Sequence, residues 1–521
     1  MLINTKITVI FIFILASFLS GCTLFSFFEE TEFSLISSNI IDDEGFTNLY
    51  LEFNTTDKIT VKLVGPNKNI IFSDEYYKGT HDVGIPLEEY RKTPLSGEYN
   101  LKVYDKNDKN IFKKEVYLIN KNLTILNIIE KYWFNDNKYD LVGLKIKLKN
   151  NGNVPIYPNF VNVTYDEKKI NAFLLPTVIL PYQSDTAECF IYLEDLNISE
   201  SQLELFIENS DGYILATEIK NIEPFSNTLD LEFIWRQNKL ELPDVDFLYD
   251  YYSNIERIIL EDYAVYIFDM FDDEYINFVA EKLLDNSERS DDVDIINFAA
   301  SFVQSLKYAE DDEDDPNCEY PKFPVEMLKD AQGDCEDKAM LTAAILDSMG
   351  YNLTLIRLPN HMAVGVHLDE DIPGFDYYVN EYYFLETTQF PHRLGRVPEQ
   401  YKDITNITIH TIENRPVLTH SWKNATRFSG TDGSDFVKLS IIVENLGSNT
   451  ADNIEIQGAF YNQNGIGLNK ENINIYSLDA GDKKLIDLEV DVPQGISTTL
   501  KTKIILNGTV VHEKESSSNF P

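Results

Sequence analysis

The chain has 521 residues, with 86 acidic side chains against 44 basic ones and a formal net charge of −42. Charge of that sign repels phosphate backbones and anionic headgroups, which excludes nucleic acid as a partner and excludes a membrane contact built on charge. The length allows three or four domains, and four cysteines are too few for a disulfide framework, so stability must come from packed apolar cores.

At the start of the chain Lys6 precedes an apolar run from Ile7 to Leu19, and LSGC ends at Cys22. A basic start, a short apolar core and a small residue before cysteine make an export signal. This one resembles a lipobox, with residues 1–22 as a lipoprotein signal peptide and Cys22 as the lipid-attachment site. Apolar residues continue to Phe28, so an uncleaved anchor is the rival reading. Either way the chain is expected to be extracytoplasmic, held at the outer face of the cell membrane by an N-terminal lipid or anchor.

From Glu32 to Tyr117 the alternating segments LYLEFN, KITVKLVG and GEYNLKVYD are separated by Gly, Pro, Asn and Asp turns, which predicts a β-sandwich over 23–118. Two later stretches share one plan. Each has a strand, an N-x-G turn (Asn150 to Gly152, or Asn445 to Gly447), a second long strand, and a polar turn into a further strand. They read as internal repeats. The pattern resembles the CARDB and related adhesion-type, immunoglobulin-like sandwiches of exported archaeal and bacterial proteins. The resemblance implies spacing or docking modules over 119–225 and 416–521.

Between the repeats, over 226–415, the pattern changes. NIERIILEDYAVYIFDMF, EYINFVAEKLLDN and DIINFAASFVQSLKY carry apolar residues at helical spacing, so a helical block is expected from about Leu242 to Tyr308. An acidic run, EDDEDDPN, and YPKFPVEML follow, and the prolines of the latter argue against a regular helix. Then comes GDCEDKAMLTAAILDSMG, which predicts a helix with Cys335 at its start and Gly350 just past its end. Unpaired backbone N–H groups and the helix dipole favour a thiolate there, whereas Asp334, Glu336 and Asp337 oppose it. Three strands are expected next: YNLTLIRL, HMAVGVHL opened by His361, and YYFLETTQF containing Glu386.

GDCED, NHMAVGV and FLETT together resemble the transglutaminase-like superfamily over about Ile296 to Phe390. The resemblance implies an α+β, papain-like domain flanked by the all-β sandwiches. It also implies a Cys335–His361–Glu386 triad, with Glu386 where the family has Asp. His367 shares the face of His361, and Asp376 or Glu381 are other carboxylates for the third place. An oxyanion donor is expected from the Cys335 N–H, with Gln304 as a second candidate. No cofactor is required. Asp334 and Glu336 resemble calcium ligands of one protease branch of the superfamily, so calcium is an optional ligand.

The chemistry expected is removal of the thiol proton by His361, attack of Cys335 on an amide carbonyl, and an acyl-thioester released by water. The chain would then be a surface-anchored peptidase or amidase whose partner is an extracellular protein or envelope peptide. A protein-crosslinking acyltransferase uses the same site with an amine in place of water. A third reading is a non-catalytic adhesin or scaffold with a degenerate transglutaminase-like binding domain.

Overall fold

The computed structural model describes residues 31–135, 138–196, 202–222, 230–257, 260–287, 291–311, 319–429, 434–517 and 520. The signal segment with Cys22, most of the acidic run after Asp311, and Cys318 lie outside them. Among the described residues no helix is long and apolar enough to cross a membrane.

Alternation in the sequence becomes alternation in burial. In Ile59–Val64, Ile59, Val61 and Leu63 are buried while the residues between them are half-exposed, as a strand with one face on a core requires. Seven such strands build the first sandwich. Its first, second and fifth strands (Phe33–Asp43, Phe46–Thr55, Gly79–Pro86) form one antiparallel sheet. The fourth, third, sixth and seventh (Ile70–Tyr76, Ile59–Val64, Gly97–Asp105, Asn110–Leu118) form the other. Leu49, Leu51 and Phe53 from one sheet and Val61, Leu101 and Val103 from the other share a single apolar core.

The same order recurs twice. Thr124–Asn135, Lys138–Lys149 and Ser184–Cys189 face Lys168–Phe173, Phe160–Tyr165, Gln202–Glu208 and Ile214–Asn221. Leu418–Ser429, Asp435–Asn445 and Lys483–Asp491 face Gly467–Leu478, Ala451–Asn462, Thr498–Leu506 and Thr509–Glu515. The N-x-G turns do equivalent work in these two sandwiches. Asn150 is fully buried and donates to the carbonyls of Val154 and Ile179, while its own side-chain oxygen takes the N–H of Gly152. Asn445 does the same with Asn449, Leu478 and Gly447. A Cβ on Gly152 would lie 2.2 Å from the carbonyl oxygen of Ile119, and one on Gly447 2.2 Å from that of Arg415. Each glycine therefore admits the chain segment that leads into its sandwich.

A hydrogen-bond chain also ties the two sheets of the last sandwich. The backbone N–H of His420 donates to Nδ1 of His512 at 3.3 Å, so that nitrogen is an acceptor, and Nδ1 of His420 lies 2.7 Å from it as a second donor. Nε2 of His420 then accepts from the Thr502 hydroxyl, which receives the indole N–H of Trp422.

The expectation of an α+β, papain-like domain between the sandwiches is corrected. The chain is mostly β, 51% strand against 14% helix, with many small sheets. Among the described residues the α-helices are α1 (Asp246–Asn254), α2 (Asp273–Ser287), α3 (Asp292–Ser305), α4 (Pro324–Asp330) and α5 (Cys335–Ser348). Of the segments expected to be helical, NIERIILEDYAVYIFDMF holds, among its described residues, only the end of α1 and the 3₁₀ turn Tyr263–Tyr266, which the Asp262 carboxylate caps. YPKFPVEML, in contrast, does carry a helix, because Pro324 occupies the first helical position, where no N–H is needed. The apolar core here is not self-contained. It runs from α5 and α3 through the hairpin Asp230–Trp235/Asn238–Pro243 into Trp133, Val142 and Phe190 of the second sandwich.

The four units close on themselves. Arg91 of the first sandwich donates to the Pro158 and Thr177 carbonyls of the second, and Tyr157 of the second donates to Asp42 at 2.6 Å. The rings of Trp133 and Phe278 join the second sandwich to α2. Arg415, leading into the last sandwich, pairs with Asp262 at 2.5 Å. The last sandwich then meets the first through Lys423–Asp43 at 2.8 Å, Lys484–Glu89 at 2.6 Å and Lys438–Asp74.

Candidate active site

The helix α5 is buried on every side from Glu336 to Leu346, which suits a helix at the centre of a core. Asp334 is its N-cap, accepting the N–H of Asp337, and the Asp337 carboxylate accepts the N–H of Asp334 in return. Cys335 is thus the first helical residue. Gly333 before it allows close packing, since a Cβ there would lie 2.7 Å from the sulfur of Met327.

Beside α5 stands a four-stranded antiparallel sheet, in the order Tyr383–Leu385, His361–His367, Asn352–Leu358, Thr408–Thr411. Leu358 pairs with His361 across a two-residue Pro359-Asn360 turn, and Asn360 takes φ +60°, so the turn itself fixes His361 as the opening residue of its strand. Glu386 follows directly on Leu385.

His361 and Glu386 meet. Nε2 of His361 lies 3.0 Å from Oε2 of Glu386, both side chains buried. The other carboxylate oxygen accepts the backbone N–H and the hydroxyl of Thr388, at 2.9 and 2.6 Å. Burial pushes Glu386 up, but the His361 contact and the Thr388 donors outweigh it and hold the carboxyl below its ordinary value. The imidazole is stacked flat on Tyr401, with centroids 4.6 Å apart and planes 5° from parallel. With Nε2 engaged, Nδ1 is the nitrogen left to serve as base.

Cys335 is free and half-buried. Its thiol donates to Oε2 of Glu336 at 3.0 Å, and the backbone N–H of Met362, the residue next to His361, favours its thiolate form. Burial raises the thiol well above its ordinary value, and the charges of Glu336 and Asp334 raise it further, against the Met362 N–H. Burial, then the charge of Asp334, push Glu336 up to about 9 and Asp337 to about 8, and burial with the charges of Asp311 and Glu319 lifts Asp334 to about 6. The resting site therefore holds a neutral thiol directed at Glu336.

Gln304 lies behind Glu386. Its amide N–H groups donate to the carbonyls of Glu386 and His392, at 2.7 and 3.0 Å, which leaves no donor for an oxyanion. His367 is bonded to the Glu381 carbonyl at an exposed place and takes no part in the pair. Among the described residues no group of three or more His, Cys, Asp or Glu side chains is placed to hold a metal ion. Asp334 is engaged as helix cap and Glu336 with the thiol, so two occupied carboxylates do not by themselves make a calcium site.

Three contributors escaped the sequence reading. Thr388 sits inside the quoted FLETT-containing strand, two residues after Glu386, and its pairing was available from local spacing. Tyr401 is remote along the chain and nothing near it in sequence points to His361. Lys338, one turn into α5, is fully buried and donates to the Val303 and Leu306 carbonyls at the end of α3 and to that of Thr388. Burial brings its ammonium down to about 8, against the pull of Glu386.

No family model and no curated protein matches the chain. Among solved structures it is similar to a transglutaminase of red sea bream, with 11% identity over 73% of this chain and 80% of that one and a TM-score of 0.20. It is similar to the exo-chitosanase CsxA of Amycolatopsis orientalis, with 9% identity over 90% and 76% of the two chains and a TM-score of 0.16. A third is dimeric latent PorU of Porphyromonas gingivalis, at 7% identity over 94% of this chain and 33% of that one, with a TM-score of 0.15. The likeness to a transglutaminase is faint, scores of this size carry no argument about fold or activity, and no family membership follows from them.

Proposed function

We propose that the chain is a surface-anchored cysteine peptidase or amidase, similar in its site to the transglutaminase-like superfamily, acting on amide bonds of extracellular proteins or envelope peptides. The observation that supports it is the buried His361–Glu386 pair, next in the chain to Met362, whose N–H favours the thiolate form of Cys335. Nδ1 of His361 takes the thiol proton, the thiolate adds to the carbonyl carbon, and the C–N bond breaks as the imidazolium returns its proton to the leaving amine. Water, deprotonated by the same imidazole, then releases the acyl group as a carboxylic acid. Glu386 holds the tautomer and balances the imidazolium charge. The Cys335 N–H, at the first position of α5, is the oxyanion donor. An amine in place of water would give crosslinking. Lipid attachment at Cys22 would keep the site outside the cell at the membrane.

The contact between the thiol and Glu336 favours a second reading, in which the site holds a peptide without cutting it. Alkylation of Cys335 in the purified chain decides between them. Loss of about tenfold or more in rate for His361→Ala supports the hydrolase. A rate indifferent to His361 sinks it in favour of the binding module.

A further inference from the structure

We infer that Tyr401 is a positioning residue for His361, whose ring face fixes the imidazole plane during the reaction. This rests on the hydrolase reading of the site and adds to it a residue from outside the triad. The stack is nearly parallel, with centroids 4.6 Å apart and planes 5° from parallel, which holds the imidazole against rotation away from Glu386. Glu386 holds the imidazole at Nε2 only, and rotation about the Cβ–Cγ bond is opposed by a partner lying flat on the ring.

Tyr401 is itself well held. It ends the 3₁₀ turn Glu399–Tyr401, its N–H donates to the Pro398 carbonyl, and its own carbonyl accepts the hydroxyl of Tyr378 at 2.8 Å. Its ring packs with Ile356, Leu358, Ala363 and Phe384, the apolar layer beneath the His361 strand. When His361 takes the thiol proton it becomes a cation lying over an aromatic face, an arrangement that attracts positive charge. The groups in contact with the imidazole are Glu386 at Nε2 and the Tyr401 face, and the charges of Glu386 and Cys335 are felt at Tyr401. Tyr401 is the aromatic one among them, and its contact is with the imidazole.

The test compares Cys335 alkylation by iodoacetamide in the whole ectodomain, across pH, for the wild type, Tyr401→Phe, Tyr401→Leu, His361→Ala and the Tyr401→Leu/His361→Ala double variant. Leu keeps the apolar packing and removes the ring face. Tyr401→Phe should stay within about twofold of wild type, and Tyr401→Leu should lose about 3- to 10-fold at neutral pH. In the His361→Ala background Tyr401→Leu should change nothing further, because the two act as one unit. Equal losses in Phe and Leu, no loss in Leu, or a further loss in the double variant would each overturn the inference. A rate unmoved by His361→Ala would instead remove the hydrolase reading on which it stands.

Discussion

Replacing Glu336 by Gln should change the shape of the Cys335 reactivity profile with pH, and the shape follows from two contacts. The thiol donates to a Glu336 oxygen at 3.0 Å, and burial with repulsion from Asp334 lifts Glu336 to about 9. Below that pH the carboxyl is largely neutral and adds no charge beside the sulfur. Above it, a second negative charge at about 3 Å costs about 5 kcal/mol at an effective dielectric of about 20, equivalent to about four pKa units. The doubly ionised state is then almost unpopulated, and thiolate can form only in molecules whose Glu336 is still protonated. That fraction stops growing once Glu336 titrates, so the wild-type alkylation rate should rise tenfold per pH unit up to about 9 and flatten beyond it. In Glu336→Gln the rise should continue. The two proteins should differ little at about pH 8, and the variant should lead by about tenfold at about pH 10. Peptide mass spectrometry of iodoacetamide-treated protein reads this directly, with buried Cys189 as the slow internal reference. Parallel profiles for the two proteins would refute the reasoning, since they would mean that the Glu336 charge does not reach the sulfur.

Two further outcomes concern the last sandwich. Gly447→Ala places a Cβ 2.2 Å from the Arg415 carbonyl and 2.4 Å from the Val417 nitrogen, both backbone atoms, so the urea midpoint should fall by the equivalent of about 2–3 kcal/mol, and an unchanged midpoint would contradict the close approach. The His420–His512 pair should make stability pH-dependent. Burial, then His512 and Lys514, push His420 down to about 3, and burial with Lys514 lowers His512. The unfolded chain therefore binds more protons below about pH 6.5, stability rises with pH, and about 2–3 kcal/mol should be lost between pH 6.5 and 4.5. Urea midpoints of His420→Gln should show a shallower slope, and a slope equal to wild type would assign the loss elsewhere.

What the sequence made legible was local. The N-x-G repeats could be read because a buried Asn and a clash-free Gly must recur wherever that turn recurs. The strand openings at Asn352 and His361 could be read because Pro359-Asn360 can only be a turn. The first sandwich shares the strand order of the other two without their N-x-G turn, so its kinship shows only in the sheet order. EYINFVAEKLLDN and DIINFAASFVQSLKY do carry α2 and α3, but NIERIILEDYAVYIFDMF was overread. Its apolar spacing is shared by segments that pack against the second sandwich, and periodicity does not say whether an apolar stripe will sit on a helix or on a chain with one short 3₁₀ turn. Within the site, Cys335, His361 and Glu386 stand in quotable stretches. The two features that most alter their chemistry, the thiol turned to Glu336 and the ring beneath His361, depend on side-chain direction and on a residue far along the chain.

The meeting of the first and last sandwiches has a consequence for how the chain responds to a protease. Because Lys423, Lys438 and Lys484 clasp Asp43, Asp74 and Glu89, the two ends of the polypeptide are joined by a second route that does not pass through the helices. A protease that nicks one loop of the helical region leaves two fragments still bound at both ends. High salt weakens those ion pairs, and only then would the same nick let the fragments drift apart.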